Sequence, residues 1–373
     1  MNDSESPKKI ESLTLENFTV FENATFDFCP VINVLIGENS TGKTHALKVI
    51  YSFLKAGSEK EKLAKLLQHS KENVDAADLM AYSNELFRIF NMIKIDIIRV
   101  SPTSHKPYSK LKFKLRETDP IFLNIALNGI GIGSDCANFL PDNISFLYIP
   151  SDEFLSKTQG FISLYLEKYL PYSSIYYNLA LALDSLPLRE ERLTEVQPIL
   201  DSLQTIIAGE NEKKSDFIKQ ENGRFYFELP EGKLDVHLIA DGYRKFGTLW
   251  YLLRNGSISK NSILFWDEPE TSLNPKLTRE LVKILQQLAA IGVQIFIATH
   301  DYLLSYELSL LNEYPQENQV DIKFFSLHKP SRNAGVVVEA AKTLAEIDHN
   351  PIIEAYAAYH DHESALFHAL ENP

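Results

Sequence analysis

Gly37-Glu38-Asn39-Ser40-Thr41-Gly42-Lys43-Thr44 decides how the rest of the chain is read. It fits the P-loop pattern of glycine, four residues, Gly-Lys, then Ser or Thr. Val31 to Ile36 just before it reads as a buried strand. His45 to Leu54 just after it reads as a helix, with Ala46, Leu47, Val49, Ile50, Phe53 and Leu54 at helical spacing and Gly57 as the expected C-cap. Strand, glycine loop and helix in that order separate a phosphate-binding loop from a chance match. Glycines let the backbone come close to phosphates, and successive N–H groups along Gly37, Glu38, Asn39, Ser40, Thr41 and Gly42 form an anion-binding concavity. The helix N-terminus adds its positive dipole end. Lys43 is expected to reach the β- and γ-phosphates of a nucleoside triphosphate, and Thr44 to bind Mg²⁺.

Two further stretches end buried strands in polar residues. Ser262 to Trp266 is apolar and runs into Asp267-Glu268, and Val293 to Thr299 runs into His300-Asp301. In open parallel sheets chemistry gathers at the carboxyl ends of strands. All three motifs sit at such ends, which is the internal argument for one shared nucleotide site. Asp267 is assigned to the Mg²⁺ shell and Glu268 to polarising the attacking water, with His300 sensing the γ-phosphate and orienting that water. A helix-capping acid pair is the alternative for Asp267-Glu268, and a structural imidazole the alternative for His300.

Working outward, 1–9 reads as a disordered arm, Ile10 to Phe18 as a strand and Phe21 to Phe28 as its hairpin partner. Residues 58–91 are charged and helix-prone, but no heptad pattern is sustained, so short packed helices are expected rather than a coiled coil. Ile93 to Val100 and Leu111 to Leu115 read as antiparallel strands, with a further strand at 121–127. Gly129 to Gly133 reads as a surface loop. Ile144 to Ile149 is a strand stopped by Pro150, and 160–206 is mostly helical. A hairpin is expected around Asn222-Gly223. Leu238 to Leu253 is a loop entering a helix. Asn274-Pro275 begins another helix, which stops at Gly292. Two strands, 321–327 and 335–339, precede a final helix from about Pro351.

The expected fold class is α/β: a P-loop NTPase with a mainly parallel sheet, N-terminal antiparallel β elements and an inserted helical lobe. The expected boundaries are 10–57 for the first part of the head, 58–234 for the insertion, 235–345 for the second part and 346–373 for a terminal helix and tail. The length of 373 residues allows about two to three domains. The formal net charge of −13 argues against a chain coated for nucleic acid while leaving room for a local basic groove. Cys29 and Cys136 lack metal-ligand spacing and fit a reducing cytoplasm. The polar first residues are not a signal peptide, and no apolar run approaches membrane-spanning length.

The loop at 37–44, the Asp267-Glu268-Pro269-Glu270-Thr271-Ser272-Leu273-Asn274-Pro275 stretch and Ala298-Thr299-His300-Asp301, in that order, resemble the ABC-type ATPase heads of SMC and RecF-like proteins. The resemblance covers roughly 10–54 and 235–305. It implies ATP as the nucleotide and a signature motif, matched here by Ile239 to Lys245. That segment departs from the usual Leu-Ser-Gly-Gly, with Asp241 beside the glycine and Gly242 in place. It also implies that Asp241 and Gly242 are offered to the ATP of a second subunit, so that ATP joins heads into a homodimer or higher homo-oligomer, with Ser272-Leu273-Asn274 resembling the D-loop at that interface. Asn17-Phe18-Thr19 lacks the arginine often found there, and the Q-loop glutamine is not obvious: the candidate, Gln159, reads better as a plain loop residue. Details around Trp266-Asp267 and 149–165 resemble a narrower group, the overcoming-lysogenization-defect (OLD) ATPase heads and the ATPase subunits of anti-phage systems such as PARIS. That resemblance implies a separate effector protein, a nuclease or toxin. The competing readings are a RecF/SMC-like DNA repair ATPase, a transporter ATPase and an ATP-gated scaffold. The long interval from Thr44 to Ala240 disfavours the transporter.

Overall fold

The protein, seen here as a computed structural model, is described over residues 8–67, 88–89, 108–126, 129–132, 144–210, 217–314, 320–332 and 334–371. It opens with the hairpin β1 (Ile10–Phe18) and β2 (Phe21–Asp27), then β3 (Ile32–Gly37) and α1 (Lys43–Leu67). Three strands follow, β4 (Tyr108–Leu115), β5 (Ile121–Ala126) and β6 (Gly129–Ile132), then β7 (Phe146–Ile149). Next come the helices α2 (Phe161–Leu166), α3 (Ser174–Leu183) and α4 (Gln197–Ala208), and a small meander of β8 (Ile218–Glu221), β9 (Arg224–Leu229) and β10 (Gly232–Asp235). The last part runs α5 (Asp241–Arg254), β11 (Ile263–Asp267), α6 (Pro275–Ala290), β12 (Gln294–Thr299), α7 (Tyr302–Glu313), β13 (Ile322–His328), β14 (Val337–Ala341) and α8 (Pro351–Glu371).

The central sheet has the order β14-β13-β3-β12-β11-β7, and only β14 runs antiparallel to its neighbour. β3, β11 and β12 are buried at every residue, the pattern of parallel strands covered on both faces. Their side chains alternate between two cores. Val34, Ile36, Leu264, Trp266 and Ile297 pack with leucines of α4, α5 and α6. Leu35, Phe265, Phe296 and Ala298 pack with Leu47, Ile50 and Phe53 of α1 and with Leu13 and Phe26 of the antiparallel sheet. That second sheet has the order β2-β1-β4-β5-β6 and lies over the far side of α1.

Register is what positions the site. Ile36 pairs with Thr299, and Asp267 with Ala298. The carboxyl ends of β3, β12 and β11 are therefore level, and the loop at 37–44, His300 and Glu268 leave the sheet side by side.

Most expected elements are present, and the differences have physical causes. α1 continues through Gly57 to Leu67 instead of stopping there. Phe53, Ala56 and Gly57 are buried along it, and packing of that face outweighs the roughly 1 kcal/mol that glycine costs inside a helix. Gly129–Ile132 is not a surface loop but an edge strand, paired Asn124↔Gly131 and Ile125↔Ile130. Cross-strand hydrogen bonds there override glycine's poor strand propensity. β4 pairs with β1 and β5; its expected partner at 93–100 lies outside the described residues, as do 1–7, Cys136 and most of 68–107. β10 and α7 were not expected. α7 is capped by Asp301, whose Oδ1 accepts from the Leu304 amide. The hairpin at Asn222-Gly223 forms as read, with φ of 51° and 76°, a primed turn. Strands from 108–132 join the sheet of β1 and β2, and β7 forms an edge of the central sheet, so the interval 58–234 contributes to both sheets. Among the described residues no helix is long and apolar enough to cross a membrane.

Candidate functional site

The loop after β3 holds backbone conformations that favour glycine. Gly37 has φ of 151° and Gly42 of 93°. A Cβ on Gly37 would lie 2.4 Å from the Leu327 carbonyl oxygen, and one on Gly42 would lie 2.6 Å from Val20 Cγ2 and 2.7 Å from Phe21 Cζ. Both glycines are thus required by the strands packed beneath the loop. Thr41 Oγ1 donates to the Glu38 carbonyl at 2.9 Å. Lys43 Nζ folds back over the loop and donates to the carbonyls of Gly37 at 2.7 Å and Glu38 at 2.8 Å. Burial lowers its pKa, while the Glu268, Asp267, Glu270 and Glu38 carboxylates favour the cation.

Asp267, at the end of β11, is held at both oxygens. Thr44 Oγ1 donates to Oδ1 at 3.0 Å and Tyr148 Oη to Oδ2 at 3.1 Å. Burial pushes the Asp267 pKa up, and these two hydrogen bonds oppose that. Tyr148 comes from β7, the neighbour of β11, and is fully buried; its own pKa is raised by burial and by the Asp267 charge beside it. One hydroxyl and one carboxylate side by side form a hard oxygen donor set. That set suits Mg²⁺, which binds through one or two carboxylates together with substrate phosphates. Among the described residues no three His, Cys, Asp or Glu side chains form a self-sufficient metal cage.

Glu268 follows with φ of 45°, a left-handed conformation that costs a non-glycine residue energy. Besides the Thr271 amide, which donates to its carbonyl at 3.1 Å, three longer-range contacts hold it there. Its amide donates to the Ala298 carbonyl at 2.8 Å, Lys245 Nζ donates to its carbonyl at 3.1 Å, and its Oε1 stands 3.1 Å from His300 Nδ1. Lys245 is buried on α5, which brings its pKa down to about 8 against the raising effect of Glu270 and Glu268. Glu270, two residues on, is also buried; Thr299 Oγ1 donates to its Oε1 at 2.6 Å, and its Oε2 has no partner. Burial pushes its carboxyl up to about 7.

Lys43, Thr44, Asp267, Glu268 and His300 are therefore brought together. Asp241 and Gly242 lie at the start of α5, and their contacts run elsewhere. Asp241 pairs with Arg244, which also reaches Glu153 at 3.2 Å. A Cβ on Gly242 would lie 2.9 Å from the Ser272 carbonyl, so this helix start is seated on the turn after β11. Gln159 accepts from Arg224 Nε at 2.6 Å on the exposed hairpin side. Tyr148, Lys245 and Thr299 were given no role from the sequence. Two of them stand beside or within motif stretches, Thr299 directly before His300 and Lys245 at the end of the Ile239–Lys245 match. Tyr148 and Lys245 meet the site through sheet order and helix docking, which no local pattern encodes.

Residues 32–305 match the family described as "AAA domain, putative AbiEii toxin, Type IV TA system". Among curated relatives, the DNA replication and repair protein RecF of Staphylococcus haemolyticus (strain JCSC1435) is 25% identical over 281 residues, 73% of this chain and 69% of that protein. The RecF of Staphylococcus epidermidis (strain RP62A) is 44% identical over 52 residues, 14% of each. Among solved structures, an SMC head bound to the C-winged helix domain of ScpA aligns with a TM-score of 0.50 at 11% identity, covering 90% of this chain and 98% of that one. At that identity the likeness speaks for the fold alone, that of an SMC head. The family match extends from the strand before the phosphate loop to the first turn of α7, most of the chain, and the protein belongs to the AAA-domain family so described.

Proposed function

We propose that this protein is a Mg²⁺-dependent ATPase whose heads associate around ATP to control a partner. The observation that carries this reading is the convergence of Lys43, Thr44, Asp267, Glu268 and His300 at the level carboxyl ends of three adjacent strands. The N–H groups of 37–44 cradle the phosphates. Lys43 exchanges its two loop carbonyls for phosphate oxygens. Thr44 and Asp267 would hold Mg²⁺, which when bound would supply positive charge against the phosphates. Glu268 takes the proton of the attacking water, and His300, 3.1 Å away, orients the carboxylate and the water.

Asp241 and Gly242 belong to the half-site offered to a second copy, which makes a homodimer or higher homo-oligomer the working form. In this reading 10–57 and 235–345 form the head, 58–234 the insertion and 346–373 the tail. The partner is a separate nuclease or toxin, the setting bacterial anti-phage defence in the cytoplasm. The family description, with its "putative AbiEii toxin, Type IV TA system", supports a toxin-related setting. In the test, Glu268→Gln abolishes ATP turnover while retaining ATP, and an ATP-bound oligomer accumulates on size-exclusion chromatography with light scattering. Unchanged turnover in that variant would sink the base assignment.

A second reading, a RecF-like DNA repair ATPase, is favoured by a specific feature besides the RecF relatives. Lys110, Lys112 and Lys114 alternate outward along β4, and Lys112 Nζ sits 5.6 Å from the ring of the exposed Phe122. A basic, aromatic-lined sheet face suits a nucleic acid backbone, although Glu11 pairs with Lys114 at 2.8 Å and Glu16 lies opposite Lys110. DNA binding that weakens steeply with salt, and that is lost with Lys110 and Lys112 changed to Glu, would favour it over the effector reading.

A further inference from the structure

We infer that Thr299 and Glu270 form a clasp that positions His300 against Glu268, and that the clasp sets the rate of the hydrolytic step. The inference rests on the reading of Glu268 as base and His300 as its partner.

The geometry has three links. Thr299 Oγ1 donates to Glu270 Oε1 at 2.6 Å. The same hydroxyl accepts the amide of Asp301 at 2.9 Å. One hydroxyl thus ties the turn after β11 to both sides of His300, since it belongs to the residue before the histidine and binds the residue after it. The clasp itself is dry: Thr299 is fully buried and Glu270 nearly so. The groups it aims are open, with side-chain exposure of 48% for His300 and 28% for Glu268. An exposed imidazole on a loop end would otherwise sample several rotamers, and a displacement of about 1 Å at a reacting group can cost a hundredfold in rate.

The same turn is braced from α5. Lys245 Nζ holds the Glu268 carbonyl, and Gly242 allows the Ser272 carbonyl to approach within contact. Glu268 keeps its left-handed φ of 45° between these braces. The carboxylate of Glu268 is therefore aimed by α5 on one side and met by His300, held by the clasp, on the other. Thr299 and Glu270 are positioning residues in this scheme, because neither touches the phosphate loop or Asp267 in the contacts seen.

The test compares Thr299→Val, which keeps the shape and removes the hydroxyl, with Thr299→Ser, which keeps the hydroxyl. With MgATP, Thr299→Val is expected to lose about a hundredfold in kcat with KM unchanged, since Lys43, Thr44 and Asp267 are untouched. Thr299→Ser is expected to recover most of that rate. A purely structural threonine would instead lower melting temperature in both variants without splitting kcat from KM. Equal kcat in Thr299→Val and wild type, with wild type active, overturns the clasp while leaving the ATPase reading intact. If wild type hydrolyses no ATP, the ATPase reading fails and the crystal structure of Thr299→Val still decides the clasp. His300 Nδ1 is expected to leave Glu268 Oε1 in that variant, and persistence of the 3.1 Å contact overturns the inference.

Discussion

The two acids at the end of β11 are adjacent in sequence and opposite in setting. Asp267 is 6% exposed and both its oxygens are bonded by hydroxyls from α1 and β7. Glu268 has a half-open side chain, a strained φ and a histidine that is itself half exposed. The strand's register makes this difference. Asp267 is the last residue of the ladder and points where Thr44 and Tyr148 already stand, whereas Glu268 is the first residue to leave it. In the proposed reading, the metal half of the site is the one this chain's own hydroxyls already hold, and the hydrolytic half is the one that opens outward. An open half suits the proposal that a second copy finishes the site.

The largest expected effect tests the closed half. Asp267→Asn keeps the size and can still accept from Thr44, so the fold should survive. It removes the charge that would hold Mg²⁺, and turnover should fall on the order of a thousandfold, with ATP binding in the absence of metal little changed. Isothermal titration with ATP, with and without Mg²⁺, alongside a phosphate-release assay checks both arms. If Asp267→Asn and Glu268→Gln gave the same profile, the two halves would not be separate in function.

How much of this was legible in the sequence follows the same division. Lys43 and Thr44 were readable from the spacing of the glycine loop, and Asp267, Glu268 and His300 because they follow apolar runs, as which parallel strands advertise themselves. Their convergence was an inference from strand ends, and the register of β3, β12 and β11 supplies its physical basis. Tyr148 was hidden because nothing local says that 146–149 lies beside β11 rather than elsewhere in the sheet. Lys245 was hidden because a lysine in a helix reads as solvent-facing, and only the docking of α5 buries it. The extension of α1 through Gly57 and the strand at 129–132 were misjudged for one reason: local glycine propensity lost to packing and to pairing.

A pH experiment sharpens the comparison from the hydrolytic side. Burial raises the Glu270 carboxyl from 4.5 to about 7. Between those values the folded protein binds more protons than the unfolded chain, so this residue's contribution to stability is fully present below about pH 4.5 and is lost as pH rises through about 7. The full swing is roughly 3 kcal/mol. Urea unfolding of wild type and Glu270→Gln across pH 4.5 to 8 should show the difference between them changing by an amount of that order. A constant difference across the window would mean that Glu270 is ionised as freely in the fold as outside it, and that the hydrolytic half is less dry beneath than its buried clasp suggests.

The smallest expected effect concerns the residue that closes the metal half. Tyr148 stacks on Phe265 at 6.1 Å between ring centroids and meets Tyr51 edge-on at 5.5 Å, so as a core residue it would be replaced by phenylalanine at little cost. As a hydrogen-bond donor it is not replaceable, because Tyr148→Phe leaves Asp267 Oδ2 buried with nothing to bind. The carboxyl then favours its protonated form more strongly, and proton and Mg²⁺ compete for the same oxygens. About tenfold more Mg²⁺ should be needed for half-maximal turnover, with kcat at saturating metal close to wild type and stability lowered by about 1–3 kcal/mol for the unpaired buried oxygen. Raising the pH should restore part of the lost metal affinity, because the competing proton is removed. An unchanged Mg²⁺ dependence would reduce Tyr148 to its ring contacts, and the metal half of the site would then rest on Asp267 and Thr44 alone.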